Sequence, residues 1–305
     1  MYEDAQEIFN YLPIRRDTSE DEYLKHLWSS FTLLEKAERL WEKDANGFAV
    51  DDASLKMARP FSVMPYHLLF MMSVQYKMLQ IALAHKTATD LFFTVVGGRN
   101  KAQLLSPKRS VFDMALINER TIPDIFQLVS LNPDVIKKCK DLVDHRNDTL
   151  AHAKGGIEQD VETKILEYGS VLDAVQKCCL PINQKWANNW LLEIKAGDDI
   201  AQFMETHFLD SRFSPRDFGD IVSILLEAEQ LDFEQWEQVV EKGFDLAHSQ
   251  TIEALKLISQ SELDEGRRFN AIRVLHENGD IDEEMRKSMI EKETDAEILE
   301  LLKKQ

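Results

Sequence analysis

The sequence contains little glycine, proline or cysteine for its length. Its 305 residues include 11 Gly and 8 Pro, which are too few for the closely spaced turns of an all-β sandwich or barrel. The three cysteines, Cys139, Cys178 and Cys179, form no Cys-x-x-Cys pair, and they predict reduced structural thiols instead of a disulfide framework or a zinc site. We therefore expect an all-α fold.

The sequence also lacks a long apolar run. Its most apolar window, around residues 64–72, is too short to span a bilayer. The opening residues, MYEDAQEIFN, have no basic start followed by an apolar stretch, which a secretory signal would need. These features predict a cytoplasmic protein that does not bind membranes.

Basic residues are outnumbered by acidic ones. Lys and Arg total 36 against 54 Asp and Glu, which gives a net charge of -18, and such a chain repels polyanions at long range. The charge is uneven, because residues 201–305 hold 25 acids and 12 bases whereas residues 51–150 hold 10 acids and 13 bases. Any anion-binding surface is therefore expected in the N-terminal half.

Apolar residues recur at spacings of three and four along most of the chain, which indicates successive helices. The longer predicted helices cover residues 21–43, 65–85, 133–154, 158–179 and 184–194. Shorter predicted helices cover residues 218–227, 233–246, 251–258, 264–276, 283–290 and 295–303. Residues 262–270 and 293–301 align loosely at a period of 31, so the C-terminal segment resembles HEAT-like helical repeats.

The chain is predicted to contain two domains, because charge balance and helix length both change near Ala196 and Gly197. The first, residues 1–196, is expected to be a helical bundle with its core at about 60–195 and an N-terminal helical extension at 1–59. The second, residues 197–305, is expected to be an acidic helical-repeat domain. This second domain is expected either to bind a regulatory protein partner or to restrain a site in the first domain.

One basic segment, VVGGRNKAQLLSPKR at residues 95–109, has a loop-like composition around Gly97 and Gly98. It is neither a P-loop nor a dinucleotide-binding motif, because no predicted strand precedes it and the required spacings are absent. Two interpretations remain open, a solvated turn and a loop that contacts phosphate.

The strongest chemical signal is the segment DHRNDTLAH at residues 144–152. Arg146 falls where the predicted helix 133–154 should present another apolar residue, and a charge on a buried face needs a partner or a function. His152 can transfer a proton near neutral pH, and Arg146 can stabilise the charge that builds on a phosphoryl group. Asn147 can orient either group. RNA cleavage without a metal needs these side chains.

Helix geometry separates the two main residues of this segment. Six positions advance about 9 Å along a helix and leave Arg146 and His152 about 120° apart, so one helix cannot direct both side chains at one phosphorus atom. Two copies related by a two-fold axis can line one cleft. The sequence therefore predicts a homodimer formed through the helix that carries Arg146 and His152.

The segment resembles the R-x4-6-H signature of HEPN domains, a helical family that contains many metal-independent endoribonucleases of bacterial defence and toxin systems. The match is at Arg146, Asn147 and His152, late in a helical bundle. The resemblance implies a dimeric ribonuclease that needs no cofactor or metal and leaves 2′,3′-cyclic phosphate and 5′-hydroxyl ends. It also implies a toxin or effector role in antiviral abortive infection.

The basic segment and the position of His145, seven residues before His152, add candidate substrate contacts. The residues expected to bind the RNA substrate are Arg99, Lys101, Lys108, Arg109 and His145. Some family toxins are silenced by adenylylation of a tyrosine two positions after the motif histidine. This chain has Lys154 there, so control by a partner or by the C-terminal repeats is expected instead.

Three other interpretations stay open. Arg146 is also explained as a structural ion-pair partner of Asp144, Asp148 or another nearby acid, with His152 beside a helix C-terminus. Another interpretation is that the chain is a non-catalytic scaffold or sensor subunit of a defence or regulatory complex, in which the Arg146 region binds a protein or RNA. A metal-dependent nuclease is disfavoured, because the other histidines lack metal-ligand spacing and carboxylates do not cluster with them.

Overall fold

The computed structural model describes residues 2–14, 16–41, 59–106, 109–151, 161–260, 265–281, 283–292 and 296–303. Over these ranges the chain is helical and contains no strand, which confirms the all-α prediction. None of the helices in the same ranges is long and apolar enough to cross a bilayer. The chain forms two compact units, one of Met1–Ile182 with Ser211–Ser214 and the other of Asn183–Asp210 with Pro215–Gln305.

The first unit is built from α-helices joined by 3-10 segments. The α-helices are α1 (Tyr2–Gln6), α2 (Thr18–Trp41), α3 (Val63–Ala84), α4 (Lys86–Val96), α5 (Lys101–Leu104), α6 (Pro133–His145) and α7 (Val161–Glu193), whose end from Asn183 belongs to the second unit. The 3-10 segments are Glu7–Tyr11, Arg59–Ser62, Gly98–Asn100, Val111–Leu116 and Glu119–Val129.

Helix α3 is the central helix of the first unit. It is apolar on nearly every side, and its residues are buried over almost its whole length, because α2, α4 and the 3-10 segments Val111–Leu116 and Glu119–Val129 all pack against it. A helix that is hydrophobic all round belongs inside a core. The polar side chains on α3 are therefore enclosed, and these include His67.

The helix that carries the motif begins as the sequence predicts but does not continue as expected. The Asn132 side chain accepts a hydrogen bond from the Asp134 N–H at 2.8 Å, with Pro133 at the first helical position. The α-helix ends at His145, and Arg146–Ala151 form a π-helical turn. The remainder of the predicted helix, from His152 to Lys154, lies outside the described residues.

The predicted break at Pro181 is wrong. Residues expected to form two helices, 158–179 and 184–194, lie on the single helix α7, which passes through Pro181. Proline removes one backbone donor and crowds the preceding turn, but this ring is exposed and the turns on both sides bury core residues such as Cys179 and Ile182. Packing of those residues overrides the local preference for a break.

The second unit contains α8 (Ile200–Ser211), whose last residue belongs to the first unit, and α9 (Pro215–Glu227), α10 (Phe233–Gln260), α11 (Glu265–Glu277), α12 (Glu283–Lys292) and α13 (Ala296–Lys303). Ala247 has non-helical angles, φ -152° and ψ 56°, and divides α10 near the expected break. α9 packs on α10 and α10 on α11. The predicted domain boundary at Ala196 and Gly197 lies in the turn after α7, inside this unit.

Candidate functional site

Arg146 opens the π-helical turn that follows α6. Turns of this kind are rare and occur frequently at functional sites. Its guanidinium forms an ion pair with the Glu119 carboxylate through Nη2 and Oε2, and its side chain is only 17% exposed. Burial lowers the pKa of Arg146 from its ordinary value, although a guanidinium stays charged in proteins. The site therefore contains a half-buried positive charge.

The Glu119–Arg146 pair belongs to a series of ion pairs. Among the described residues, Lys140 pairs with Asp124 at 2.6 Å and Arg120 pairs with Asp144 at 3.2 Å. Together with Glu119–Arg146, these contacts join α6 and the π-helical turn to the 3-10 segment Glu119–Val129. We call this set the ion-pair ladder.

The ladder identifies the Arg146 partner that sequence reasoning missed. The acids considered from sequence were local, but Asp144 pairs with Arg120, and the acid on Arg146 lies 27 positions upstream. Glu119 begins a 3-10 segment, where no helical periodicity singles it out. The sequence contained no signal for this contact, because the contact exists only once the segment packs against α6.

A buried hydrogen bond lies in the same electrostatic environment. His67 of α3 and Tyr168 of α7 are both fully buried, and the His67 Nδ1 and the Tyr168 hydroxyl are 3.0 Å apart. Burial, with smaller electrostatic contributions from Arg146 and His145, lowers the pKa of His67 to about 3. His67 is therefore neutral near pH 7, where it cannot act as the group that gains and loses a proton.

Aromatic side chains surround this hydrogen bond. The Tyr168 ring lies 4.8 Å from Phe70 and 5.7 Å from Tyr66, measured between centroids. These contacts hold the Tyr168 ring against α3, so its hydrogen bond with His67 lies inside the packed core. Sequence reasoning treated His67 as one of several scattered histidines, although its position on a helix apolar on all sides is the signal that it is enclosed.

The predicted substrate contact His145 lines a cavity between α6 and α7. Its volume is about 600 Å³, and α7 supplies the opposite wall. His145 and Asn147 are both half-buried, and Arg146 lies between them in the chain. Of these three consecutive residues, only His145 lines the cavity, while the Arg146 side chain contacts Glu119.

The basic segment is described in part. Arg99 and Lys101 are exposed. Arg109 is half-buried, lies over the Phe93 ring at 5.0 Å and donates a hydrogen bond from Nη1 to the Leu104 carbonyl at 3.1 Å, so it stabilises its own turn. Lys108 lies outside the described residues. No contact within the described part of the chain joins Arg99, Lys101 or Arg109 to Arg146.

The second predicted catalytic residue, His152, lies outside the described residues, so its role stays a prediction from sequence. Among the residues that the structure describes, no group of three or more His, Cys, Asp or Glu side chains is arranged to hold a metal ion. Scans of protein-family models, curated proteins and solved structures find no match to this chain.

Proposed function

We propose that this protein is a metal-independent endoribonuclease of the HEPN type. The observation that supports the proposal is Arg146 itself, a half-buried guanidinium on a π-helical turn that directly follows the cavity residue His145. A charge held in partly dry surroundings acts more strongly on a phosphoryl group than one in open water. Arg146 therefore suits the stabilisation of a transition state that gains negative charge.

The reaction assigns one task to each predicted residue. A base removes the proton of a ribose 2′-hydroxyl, whose oxygen attacks the adjacent phosphorus atom. The bond from phosphorus to the 5′-oxygen then breaks, and that oxygen takes up a proton. His152 serves the proton transfers, Arg146 donates hydrogen bonds to the phosphoryl oxygens and Asn147 orients them. The products carry a 2′,3′-cyclic phosphate and a 5′-hydroxyl.

Substrate binding has to displace Glu119. The carboxylate occupies the same guanidinium that the phosphoryl group needs, and a dianionic transition state is a stronger competitor for a bidentate donor than one carboxylate. Glu119 therefore holds Arg146 in place before substrate binds. This exchange lowers the activity of the resting protein.

The wider role rests on the resemblance. A homodimer that meets through the segment of Arg146 and His152 brings residues from two copies to one phosphate. A toxin or effector in antiviral abortive infection is the role that the resemblance implies. The acidic C-terminal region then supplies the surface for a regulatory protein partner, since it carries most of the excess negative charge.

The test compares RNA cleavage in EDTA by the wild-type protein and by Arg146→Ala, His152→Ala and Arg120→Ala. Arg120 is the matched control, because it is an exposed cation of the same ladder. We expect Arg146→Ala and His152→Ala to lose cleavage by at least about 100-fold, while Arg120→Ala retains it. Equal activity in Arg146→Ala and Arg120→Ala would contradict the assignment.

A second candidate function is a non-catalytic scaffold or sensor, and the ion-pair ladder is the observation that favours it. The Glu119 pair alone explains a charge at position 146. In that case Arg146→Ala reduces the free energy of unfolding. His152→Ala then keeps the effect that the wild-type protein has when it is produced in cells. Loss of that effect in His152→Ala, with the fold and oligomeric state unchanged, excludes the scaffold.

A further inference from the structure

The cavity beside His145 is a groove between two helices. On α6 its lining residues are Lys138, Asp141, Leu142 and His145, at positions i, i+3, i+4 and i+7 of one face. On α7 they are Thr163, Lys164, Leu166, Glu167, Ser170 and Val171. The groove therefore follows both helices for about two turns, or about 10 Å. Its volume of about 600 Å³ is typical of sites for small molecules.

The groove has an apolar floor and a polar rim. Leu142 and Val171 are buried, while Leu166 is 60% exposed along the α7 wall. Thr163 and Ser170 add hydroxyl groups to the rim. This combination fits a ligand with a flat apolar part and polar edges, which describes a nucleobase.

The groove lining carries two lysines and two carboxylates, and one of the lysines, Lys138, is placed to receive an anionic group. Glu167 pairs with Lys164 at 2.7 Å, and Asp141 pairs with Lys137 at 3.3 Å. Lys138 is an exposed cation, and no ion pair with another described residue balances it. A nucleotide satisfies both the charge and the apolar floor of the groove, because its phosphate can pair with Lys138 while its base lies on the floor.

The position of the groove connects it with the proposed reaction. His145 lines one end, and Arg146 is the next residue in the chain. We infer that the groove binds one nucleotide of a single-stranded RNA, next to the phosphate that Arg146 contacts. This inference rests on the proposed function and adds a site that selects which nucleotide flanks the cleaved bond.

The test measures binding of a fluorescent single-stranded RNA to the full-length protein by anisotropy. The RNA carries 2′-fluoro groups throughout, so no 2′-hydroxyl can attack and binding is separated from cleavage. The variants are Lys138→Glu, Ser170→Trp and the control Lys177→Glu, an exposed lysine of α7 that does not line the groove. Thermal unfolding checks that all variants remain folded.

We expect Lys138→Glu and Ser170→Trp to weaken binding by at least about tenfold, while Lys177→Glu stays within about twofold of wild type. Equal weakening by both lysine variants, or no binding by wild type, would overturn the inference. Cleavage of ordinary RNA is measured on the same samples. If wild type cleaves RNA and Lys138→Glu binds RNA as well as wild type does, the proposed function stands and the groove is not the nucleotide site. If binding depends on the groove but wild type does not cleave RNA, the nucleotide site stands and the proposed function is wrong.

Discussion

At the scale of single residues, Arg146 shows what a sequence can and cannot reveal. Its departure from the apolar face of a predicted helix marked it as a residue with a partner or a function, and the structure gives it a partner, Glu119. That partner was not predictable. A charged residue on an apolar helix face implies that some group balances its charge, but the sequence does not identify that group. The same holds for the hydrogen bond between His67 and Tyr168.

Glu119→Gln tests whether the carboxylate restrains Arg146. Removing one partner of a half-exposed ion pair is expected to lower the free energy of unfolding by about 1 kcal/mol. Because the competing charge is gone, RNA cleavage below substrate saturation is expected to rise about fivefold. Asp124→Asn is the control, since it removes the ion pair of Asp124 with Lys140, and neither of these residues pairs with Arg146. Lower cleavage in Glu119→Gln, or an equal rise in both variants, would contradict the restraint.

His67→Phe tests the buried histidine through the pH dependence of stability. The folded-state pKa of His67 is about 3, below the value of about 6.5 in an unfolded chain. The unfolded protein therefore binds one more proton between these values, and stability falls as the pH falls, by up to about 1.4 kcal/mol per pH unit. Urea unfolding between pH 7 and pH 4 should show a shallower fall in His67→Phe. Identical slopes in both proteins would contradict the burial of a neutral histidine.

At the scale of elements, periodicity located the longer helices and most of the C-terminal ones, but it missed α4 and α8 as well as the segments that depart from an ideal α-helix. α2 and α3 extend over ranges close to those predicted. The π-helical turn at Arg146–Ala151 was not predicted, because six residues are too few to separate a period of 3.6 from a longer one. The continuous α7 differs from the predicted pair of helices because the buried core residues on either side of Pro181 outweigh the local preference of proline for a helix end.

Two glycines in helices test how tightly the elements pack. A Cβ on Gly169 of α7 meets no atom within 4 Å, so Gly169→Ala is expected to raise the free energy of unfolding by about 0.5–1 kcal/mol. A Cβ on Gly219 of α9 would overlap with the Cβ of Gln250 on α10, so Gly219→Ala is expected to lower the free energy of unfolding. Denaturant unfolding of the two variants provides the comparison, and stabilisation by Gly219→Ala would contradict the close approach of α9 and α10.

At the scale of the whole molecule, the order of the chain does not follow the division into units. Ser211–Ser214 belong to the first unit. Phe213 is buried and its carbonyl accepts a hydrogen bond from the Ile14 N–H at 2.8 Å, while Arg212 pairs with buried Glu20 at 2.9 Å across 192 positions. Charge balance and helix length are local signals, so they suggested a single boundary and did not reveal this segment.

Arg212→Ala tests the contribution of this segment to the first unit. The substitution leaves the Glu20 carboxylate buried without its cation, and we expect the free energy of unfolding to fall by about 2 kcal/mol. Adding Glu20→Gln to Arg212→Ala should restore part of the loss, because no uncompensated charge then stays buried. Thermal and urea unfolding supply the values. A double variant that is less stable than Arg212→Ala would show that the pair does not act in this way.

The central claim is that this protein cleaves RNA through the ribose 2′-hydroxyl without a metal. The most direct measurement incubates the purified full-length protein with total cellular RNA in EDTA and determines the chemical groups at the new ends. The account predicts fragments with 2′,3′-cyclic phosphate and 5′-hydroxyl ends, which His152→Ala fails to produce. Fragments with 5′-phosphate ends would contradict the account. RNA that stays intact with both the wild-type protein and Glu119→Gln would also contradict it.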